Sequence, residues 1–367
     1  MINSKLRIGI LYGGKSAEHD VSLRSGASVF SAINKSKYTP VPIFITKEGA
    51  WYARSEDISS FSPPEALQDE QRLILSPDPE HKGFLRLSSR NCIEMFPVDV
   101  VFPVLHGTFG EDGTLQGLLD LADIPYVGCG TLASAVGMDK IVMKSVFRDS
   151  GLNVGPFSWF YRSEWLRSPE PILNGLKDRP MPLFIKPANL GSSVGISRVS
   201  AFTGLIEAVE LASNYDRKII VEDCVIGREL EVSVLGNEIP SASLPGEIVS
   251  HSIFYNYDEK YLNATAELVI PAKLTEPQVA AAQEAALKAY RAVDGSGLAR
   301  IDMFLTPRDN IIVNEINTLP GFTSISMYPK LWEVSGLTYE ALIDNLIDLA
   351  IERHGQRRAI LTDLKST

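Results

Sequence analysis

Two apolar stretches near the end of the chain carry charge on alternate positions, a pattern few folds can bury. Residues 298–305 and 311–316 each read as a strand, and Arg300, Asp302, Glu315 and Asn317 lie on or beside them, two apart within each pair. Residues two apart on a strand point to one face, so Arg300 shares a side with Asp302, and Glu315 with Asn317. If the strands pair through a turn over residues 306–310, three oxygen ligands and one guanidinium converge on one small volume. Charge on a buried strand is costly without a counter-ion. Oxygen donors with no His or Cys among them suit magnesium, which completes its octahedron with water and phosphate oxygens. The plain alternative is a solvated hairpin with scattered acids. The alternation favours metal–phosphate chemistry on a sheet.

The 367 residues exceed one typical domain and suggest two or three. A net charge of −10 leaves no basic footprint for nucleic acid, although a local group of lysines can still hold nucleotide phosphates. No run of about 18 apolar residues is present, so no membrane partner is expected, and the first residues lead into a strand rather than a signal peptide. Cys92, Cys129 and Cys224 are far apart and form no C-x-x-C, which reads as free thiols in a reducing compartment. His19, His81, His106, His251 and His354 show no metal-ligand spacing. A cytoplasmic location is the expectation.

Strands at 6–12, 41–46 and 98–105 alternate with helical stretches at 22–33 and 115–121, which predicts a parallel α/β sheet. Between them, residues 55–90 are rich in Ser, Pro and charge and read as a surface excursion of loops and short strands. One helix is predicted over 131–149, followed by a Pro-rich segment over 155–180. A strand at 183–187 carries Lys186 and runs into the loop Gly191-Ser192-Ser193-Val194-Gly195. Further on come a helix at 201–212, strands at 218–222, 230–235 and 266–270, and helices at 276–292 and 339–351. The segment 247–263 suits a mobile lid, and 355–367 a loosely held tail.

The Gly-Ser loop lets backbone N–H groups approach phosphate oxygens and adds hydroxyl donors. It does not end in the Gly-Lys-Ser/Thr of a P-loop. Lys140, on a separate segment, supplies a second cation beside Lys186. The stretch from Glu222 through Val225 to Glu229 ends a strand at a domain junction, where backbone groups can meet an adenine edge and a carboxylate can meet ribose. An exposed linker with solvated acids is equally compatible with that stretch alone.

Taken in order, these motifs resemble the ATP-grasp superfamily and, within it, the D-alanine–D-alanine ligase family. Leu11-Tyr-Gly-Gly14 through Ser22, Leu105-His106-Gly107 with Gly110-Glu111-Asp112-Gly113, and Met138-Asp139-Lys140 are similar to its first three signatures. Ile185-Lys186-Pro187 through Gly195, Gly227-Arg228-Glu229, Tyr257 through Tyr261, Arg300-Ile-Asp302 and Asn314 through Gly321 complete the set. The match covers nearly the whole chain. It implies a three-domain α/β ATP-grasp architecture with a Rossmann-like parallel-sheet domain over 1–138, a central subdomain over 139–222 and a catalytic subdomain over 223–367. ATP would lie between the last two.

The resemblance also implies roles. Lys140 and Lys186 would hold ATP phosphates, with Ser192 and Ser193 in the loop above them. Glu222, Val225 and Glu229 would meet adenine and ribose, the first two partly through backbone. Asp302, Glu315 and Asn317 would coordinate two Mg²⁺ or Mn²⁺. Lys260 would approach the γ-phosphate, and Arg300 would stabilise the transferring phosphoryl group and the oxyanion. Glu18, near His106, would receive the ammonium of a first D-alanine. Gly321, Ser326 and Met327 would surround the carboxylate of a second, although the family commonly has Leu where Met327 stands. Tyr261 would link the lid to Ser193 and Glu18. The implied reaction joins two D-alanines at the expense of ATP, in a homodimer. A ligase of the same fold using D-lactate or D-serine is the nearest rival. A Rossmann-type oxidoreductase is disfavoured by the lack of G-x-G-x-x-G, and a nucleotide sensor by the intact set of Arg300, Asp302, Glu315 and Asn317.

Overall fold

The first strand dictates the first layer. β1 (Leu6–Gly13) is apolar on both faces and buried along most of its length, as a central parallel strand must be. It pairs in parallel with β2 (Tyr38–Ile45) and β7 (Val100–Pro103), and α1 (His19–Ala32) makes the crossover from β1 to β2. The computed structural model describes residues 5–62, 67–68, 71–87, 93–191, 194–249 and 267–360. Ser192, Ser193, Lys260, Tyr261, Cys92, His251 and most of the expected lid lie outside the described residues.

The parallel expectation holds for β2-β1-β7 only. The supposed surface excursion contributes β3 (Trp51–Ala53), β4 (Arg72–Leu75), β5 (Gly83–Leu87) and β6 (Ile93–Pro97), all antiparallel. They extend the same sheet in the order β6-β5-β4-β3-β2-β1-β7. These strands are short, which hides their alternation: Leu73 and Leu75 are buried while Ile74 between them is 48% exposed. Beyond the sheet lie α2 (Thr114–Leu121) and α3 (Thr131–Met138).

The helix expected over 131–149 is two. Asp139 leaves the helical conformation after α3, and its carboxylate accepts the N–H groups of Ile141 and Val142 at 3.1 and 3.2 Å, capping α4 (Lys140–Asp149). Lys218 also pairs with Asp139, tying this cap to the next sheet. That sheet comprises β8 (Phe157–Tyr161), β9 (Leu183–Pro187), β10 (Ser197–Val199) and β11 (Lys218–Asp223), in the antiparallel order β10-β9-β11-β8. The Pro-rich segment supplies β8 and two short helices, α5 (Arg162–Arg167) and α6 (Glu170–Leu176). Helix α7 (Leu205–Ser213) packs Leu205, Ala208, Val209 and Ala212 against Leu183, Ile185, Ile219 and Val221.

The third sheet has the antiparallel order β15-β14-β12-β16-β17. Its strands are β12 (Arg228–Leu235), β14 (Gly246–Val249), β15 (Glu267–Val269), β16 (Leu298–Leu305) and β17 (Ile311–Asn317), with the short β13 (Ser241–Ala242) beside β12. Helix α8 (Glu276–Ala292) is buried through Ala282, Ala286 and Ala289, whose small side chains let it lie close against the sheet. Two helices close the chain, α9 (Met327–Val334) and α10 (Tyr339–Ala359).

Each expected segment carries one sheet, but the cores cross the segment limits. Met143 and Phe147 of α4 pack with β12 and β16, not with the central sheet. Leu342, Ile343, Leu346 and Ile347 of α10 complete the core of the first sheet around Ile8, Ile10 and Phe102. The tail expected to be loose is helical to Ala359. Near its end Arg353 donates to the carbonyls of Gly128 and Tyr126 and to Ser296 Oγ, and stacks over the Tyr126 ring at 4.4 Å. Arg353→Ala leaves those carbonyls unserved at the junction of first and third layers. It should lower stability by about 2–4 kcal/mol, read as an earlier urea midpoint, with turnover of the folded fraction little changed.

Candidate active site

Charge crosses the third sheet in register. Glu231 of β12 stands opposite Asp302 of β16, and Asp302 stands opposite Glu315 of β17. The next rung is Ser233, Arg300 and Asn317. Directly opposed residues on neighbouring strands share a face, so three carboxylates, a guanidinium and an amide lie on one side of the sheet. The other side carries Ala299, Ile301, Met303 and Leu305 into the core. A β-bulge between Asp302 and Met303 makes this separation possible on β17. Glu315 faces Asp302, Val313 faces Met303, and Asn314 is the extra residue between them. Without it, Val313 and Glu315 would point the same way and one of them would be misplaced.

Two cations hold the row together. Arg300 donates from Nε and Nη2 to the two oxygens of Asp302, both at 2.7 Å, and its Nε lies 3.1 Å from Glu231. Burial alone would lower the Arg300 pKa; Asp302 and Glu231 outweigh it and hold the guanidinium charged. Asn317 Nδ2 donates to Asp302 Oδ2 at 3.1 Å. Lys140, in the first turn of α4, places its ammonium 3.6 Å from Glu315 and donates to the Leu190 carbonyl at 2.8 Å. The break at Asp139 is what brings Lys140 to that helix start.

A second cluster sits where β11 leaves the central sheet. Glu222 is buried, with Lys144 at 2.8 Å on one oxygen and Lys186 at 2.5 Å on the other. Burial would raise the Glu222 pKa, but the two ammonium groups prevail and hold it well below the carboxylate range. Lys186 is in turn raised: burial opposes its charge, and Glu222, Glu315 and Glu229 overcome that cost. Lys144 also donates to the carbonyl of the bulge residue Asn314 at 3.1 Å, joining the two clusters. Lys144 is closed off in this way, whereas Lys186 and Lys140 keep part of their side chains exposed and can meet phosphates.

The wall contributed by the first sheet holds Glu18, His106 and Glu111. Gly107 has φ +73°, and a Cβ there would stand 2.9 Å from Glu18 Oε2, so only glycine lets this carboxylate approach the loop. Glu111 Oε1 accepts the Gly107 N–H at 2.7 Å. His106 Nδ1 lies 3.1 Å from the Leu319 carbonyl, which can only accept, so Nδ1 carries the proton and Nε2 accepts from Ser25 at 2.9 Å. Burial lowers the His106 pKa, against the pull of Glu18, and the ring is neutral. With both nitrogens engaged, His106 holds the 319–321 loop in place.

Glu18, His106, Lys140, Arg300, Glu315, Asn317 and Gly321 line one cleft, together with Glu111 and Gly191. Lys186 and Glu222 form the adjoining lysine cluster, and Glu229, on the face of Glu231, contributes to the field at Lys186. Val225 lies in the stretch after β11, against Gly155. Ser326 stands at the residue before α9, beside Gly321, and its hydroxyl accepts from the Thr323 N–H at 3.1 Å rather than from the helix. The Met327 side chain turns away into a small core with Ile248 and Leu331. Sequence reasoning missed Lys144, Glu231 and the role of Glu111. Lys144 was signalled by its four-residue spacing from Lys140, which puts both on one helix face. Glu231 was signalled by its two-residue spacing from Glu229.

Comparison with known proteins bears on this arrangement. The family described as D-ala D-ala ligase N-terminus matches residues 7–129, and D-ala D-ala ligase C-terminus matches residues 146–348. The chain is 46% identical to the D-alanine–D-alanine ligase of Bacillus cytotoxicus, over 97% of this chain and 99% of that one. It is 44% identical to the Natranaerobius thermophilus enzyme of the same name, over 99% and 100%. Among solved structures, the D-alanine-D-alanine ligase from Coxiella burnetii superposes with a TM-score of 0.85 at 38% identity, covering 97% of this chain and 96% of that one. The VanG D-Ala:D-Ser ligase from Enterococcus faecalis gives a TM-score of 0.85 at 37% identity, covering 95% and 100%.

Glu111 makes the stability of the fold depend on pH. Burial first, and then the charge of Glu18, push it from the ordinary 4.5 up to about 8. The folded protein therefore keeps a proton that the unfolded chain releases, and stability falls as pH rises between those values. Glu111→Gln keeps an oxygen to accept the Gly107 N–H and removes the titration. It should match the wild type near pH 4 and exceed it by about 2–4 kcal/mol at pH 8, measured by urea unfolding at each pH.

Proposed function

The chain belongs to the D-alanine–D-alanine ligase family, with the ATP-grasp fold, and on that premise we propose how its cleft divides the work of joining two D-alanines. The enzyme makes D-alanyl-D-alanine for peptidoglycan, using ATP. A carboxylate is a poor acyl donor because oxide is a poor leaving group. The γ-phosphoryl of ATP therefore passes to a carboxylate oxygen of the first D-alanine, releasing ADP and giving a D-alanyl phosphate. The amine of the second D-alanine, having shed a proton, attacks the carbonyl carbon, and the tetrahedral intermediate expels phosphate.

Negative charge builds at both steps, so preset cations are the main catalytic device. Lys140 and Lys186 hold the phosphates of ATP, with Lys144 keeping Glu222 and the β17 bulge in register beneath them. Arg300, on the cleft, meets the phosphoryl oxygens and the oxyanion. Glu18 receives the ammonium of the first D-alanine, and Gly321 with Ser326, at the N-terminus of α9, receives the carboxylate of the second. Glu222, Val225 and Glu229 border the nucleotide base and ribose. Ser192, Ser193, Lys260 and Tyr261 carry the roles the family resemblance gives them, in segments outside the described residues. The observation that carries this reading is the single cleft in which Glu18, Lys140, Arg300, Glu315 and Asn317 meet from three parts of the chain.

Asp302, Glu315 and Asn317 fit two Mg²⁺ or Mn²⁺. They are hard oxygen donors in register on adjacent strands, with too few ligands to enclose an ion without phosphate oxygens. Among the described residues no group of three His, Cys, Asp or Glu forms a closed cage. When bound, the ions neutralise charge on the phosphate oxygens. We also propose that the enzyme works as a homodimer in the cytoplasm. The free thiols of Cys129 and Cys224 suit a reducing compartment, and no described helix is long and apolar enough to cross a membrane.

The likeness to a D-Ala:D-Ser ligase makes choice of the second substrate the natural test. Product analysis with ATP, Mg²⁺ and D-alanine, offered alone or with D-serine or D-lactate, should give D-alanyl-D-alanine as the main product, one ADP per bond, and nothing from L-alanine. A mixed ester or D-serine product in excess would reassign the second site. Glu315→Ala, losing a charged ligand, should cost roughly 2.7–4 kcal/mol, a hundred- to a thousandfold in rate. Asn317→Ala, losing a neutral one, should cost less, with melting temperatures unchanged in both.

A further inference from the structure

Glu231 has no part in the division of work above, yet it is a deeply buried carboxylate in the row behind the cleft, with 6% of its side chain exposed. Its place is set by β12, directly across from Asp302. Two carboxylates facing each other on adjacent strands repel, and the only cation within ion-pair distance of both among the described residues is Arg300. Arg300 Nε carries one hydrogen. It donates to Asp302 Oδ1 at 2.7 Å, while Glu231 Oε2 stands 3.1 Å from the same nitrogen in an ion pair that takes no hydrogen bond from it.

This geometry creates a conflict for Asp302. Both its oxygens accept from Arg300, and Oδ2 also accepts from Asn317. A carboxylate so engaged is poorly placed to ligate a divalent cation, and a guanidinium 2.7 Å away repels the incoming ion. Asp302 can serve a metal only if Arg300 has somewhere else to put its charge without leaving the cleft. We propose that Glu231 is a positioning residue that takes over Arg300 when Asp302 turns to a divalent cation. The guanidinium then swings from one strand's carboxylate to the next, stays buried, and remains aimed at the reacting phosphoryl group. This rests on the assignment of Asp302 as a metal ligand.

Mn²⁺ binding to the whole enzyme with ADP present, read from the electron-spin-resonance signal of free Mn²⁺, tests it without recourse to turnover. Glu231→Gln should weaken Mn²⁺ binding about tenfold and leave ADP binding in the absence of metal unchanged. Glu231→Asp, which keeps the charge, should lose less, and it stands in if the glutamine variant does not fold. In an Arg300→Met background, where Asp302 is already released, Glu231→Gln should make no further difference. Wild-type Mn²⁺ affinity in Glu231→Gln overturns the proposal. So does the same loss in the Arg300→Met background, which would make Glu231 a direct ligand. An equal loss of metal-free ADP binding would show a merely structural role and also overturns it. Asp302→Asn separates the underlying assignment: wild-type Mn²⁺ affinity there would refute Asp302 as a ligand, independently of Glu231.

Discussion

Three carboxylates in one row across adjacent strands would not stay paired without Arg300 and Lys140 among them. Glu231, Asp302 and Glu315 face one another directly, and like charges so placed push their strands apart. The sheet answers in two ways. Its far face is fully apolar and anchored by α8, so the strands cannot slip to relieve the repulsion. Its near face carries one cation of its own, Arg300 on the next rung, and imports two from elsewhere in the chain, Lys140 from a helix start and Lys186 from the central sheet. The folded protein is thereby committed to holding positive charge in the cleft, where the proposed function puts the phosphates of ATP.

Glu222 extends the same logic to the boundary between the second and third sheets. A buried carboxylate between two ammonium groups gains little net stability once desolvation is counted, but it fixes both lysines in position. Its pairing is complete at neutral pH and is lost only as pH falls below the usual carboxylate range, since its folded pKa is depressed. Glu111 lies at the opposite extreme, kept protonated by burial and by Glu18. Neighbouring carboxyl groups in and beside the cleft therefore differ in charge state at working pH, and only the ionised ones draw cations.

Much of the site was legible in advance because strand alternation is a short-range rule. Arg300, Asp302, Glu315 and Asn317 share a face as their spacing requires. The bulge at Asn314 was not legible, since an extra residue shows only against its partner strand, and it decides that Val313 goes inward. The first sheet was half legible. β1 and β2 run apolar and largely buried for eight residues each, and the shorter β7 is buried at every position, whereas β3 to β6 mix buried and exposed positions over three to five residues and merge with the Ser- and Pro-rich turns around them. Asp139 broke a helix that apolar spacing read as continuous. The crossing of α4 and α10 into cores far away in sequence has no local signature at all.

The central claim is that the cleft activates a carboxylate by phosphorylating it before the peptide bond forms. Isotope tracing tests this most directly. D-Alanine labelled with ¹⁸O in its carboxyl group, incubated with enzyme, ATP and Mg²⁺, must pass one labelled oxygen to the phosphate released with each dipeptide, because the acyl–oxygen bond breaks when phosphate leaves. One ¹⁸O per phosphate is the predicted result. Dipeptide formed with unlabelled phosphate would contradict the account.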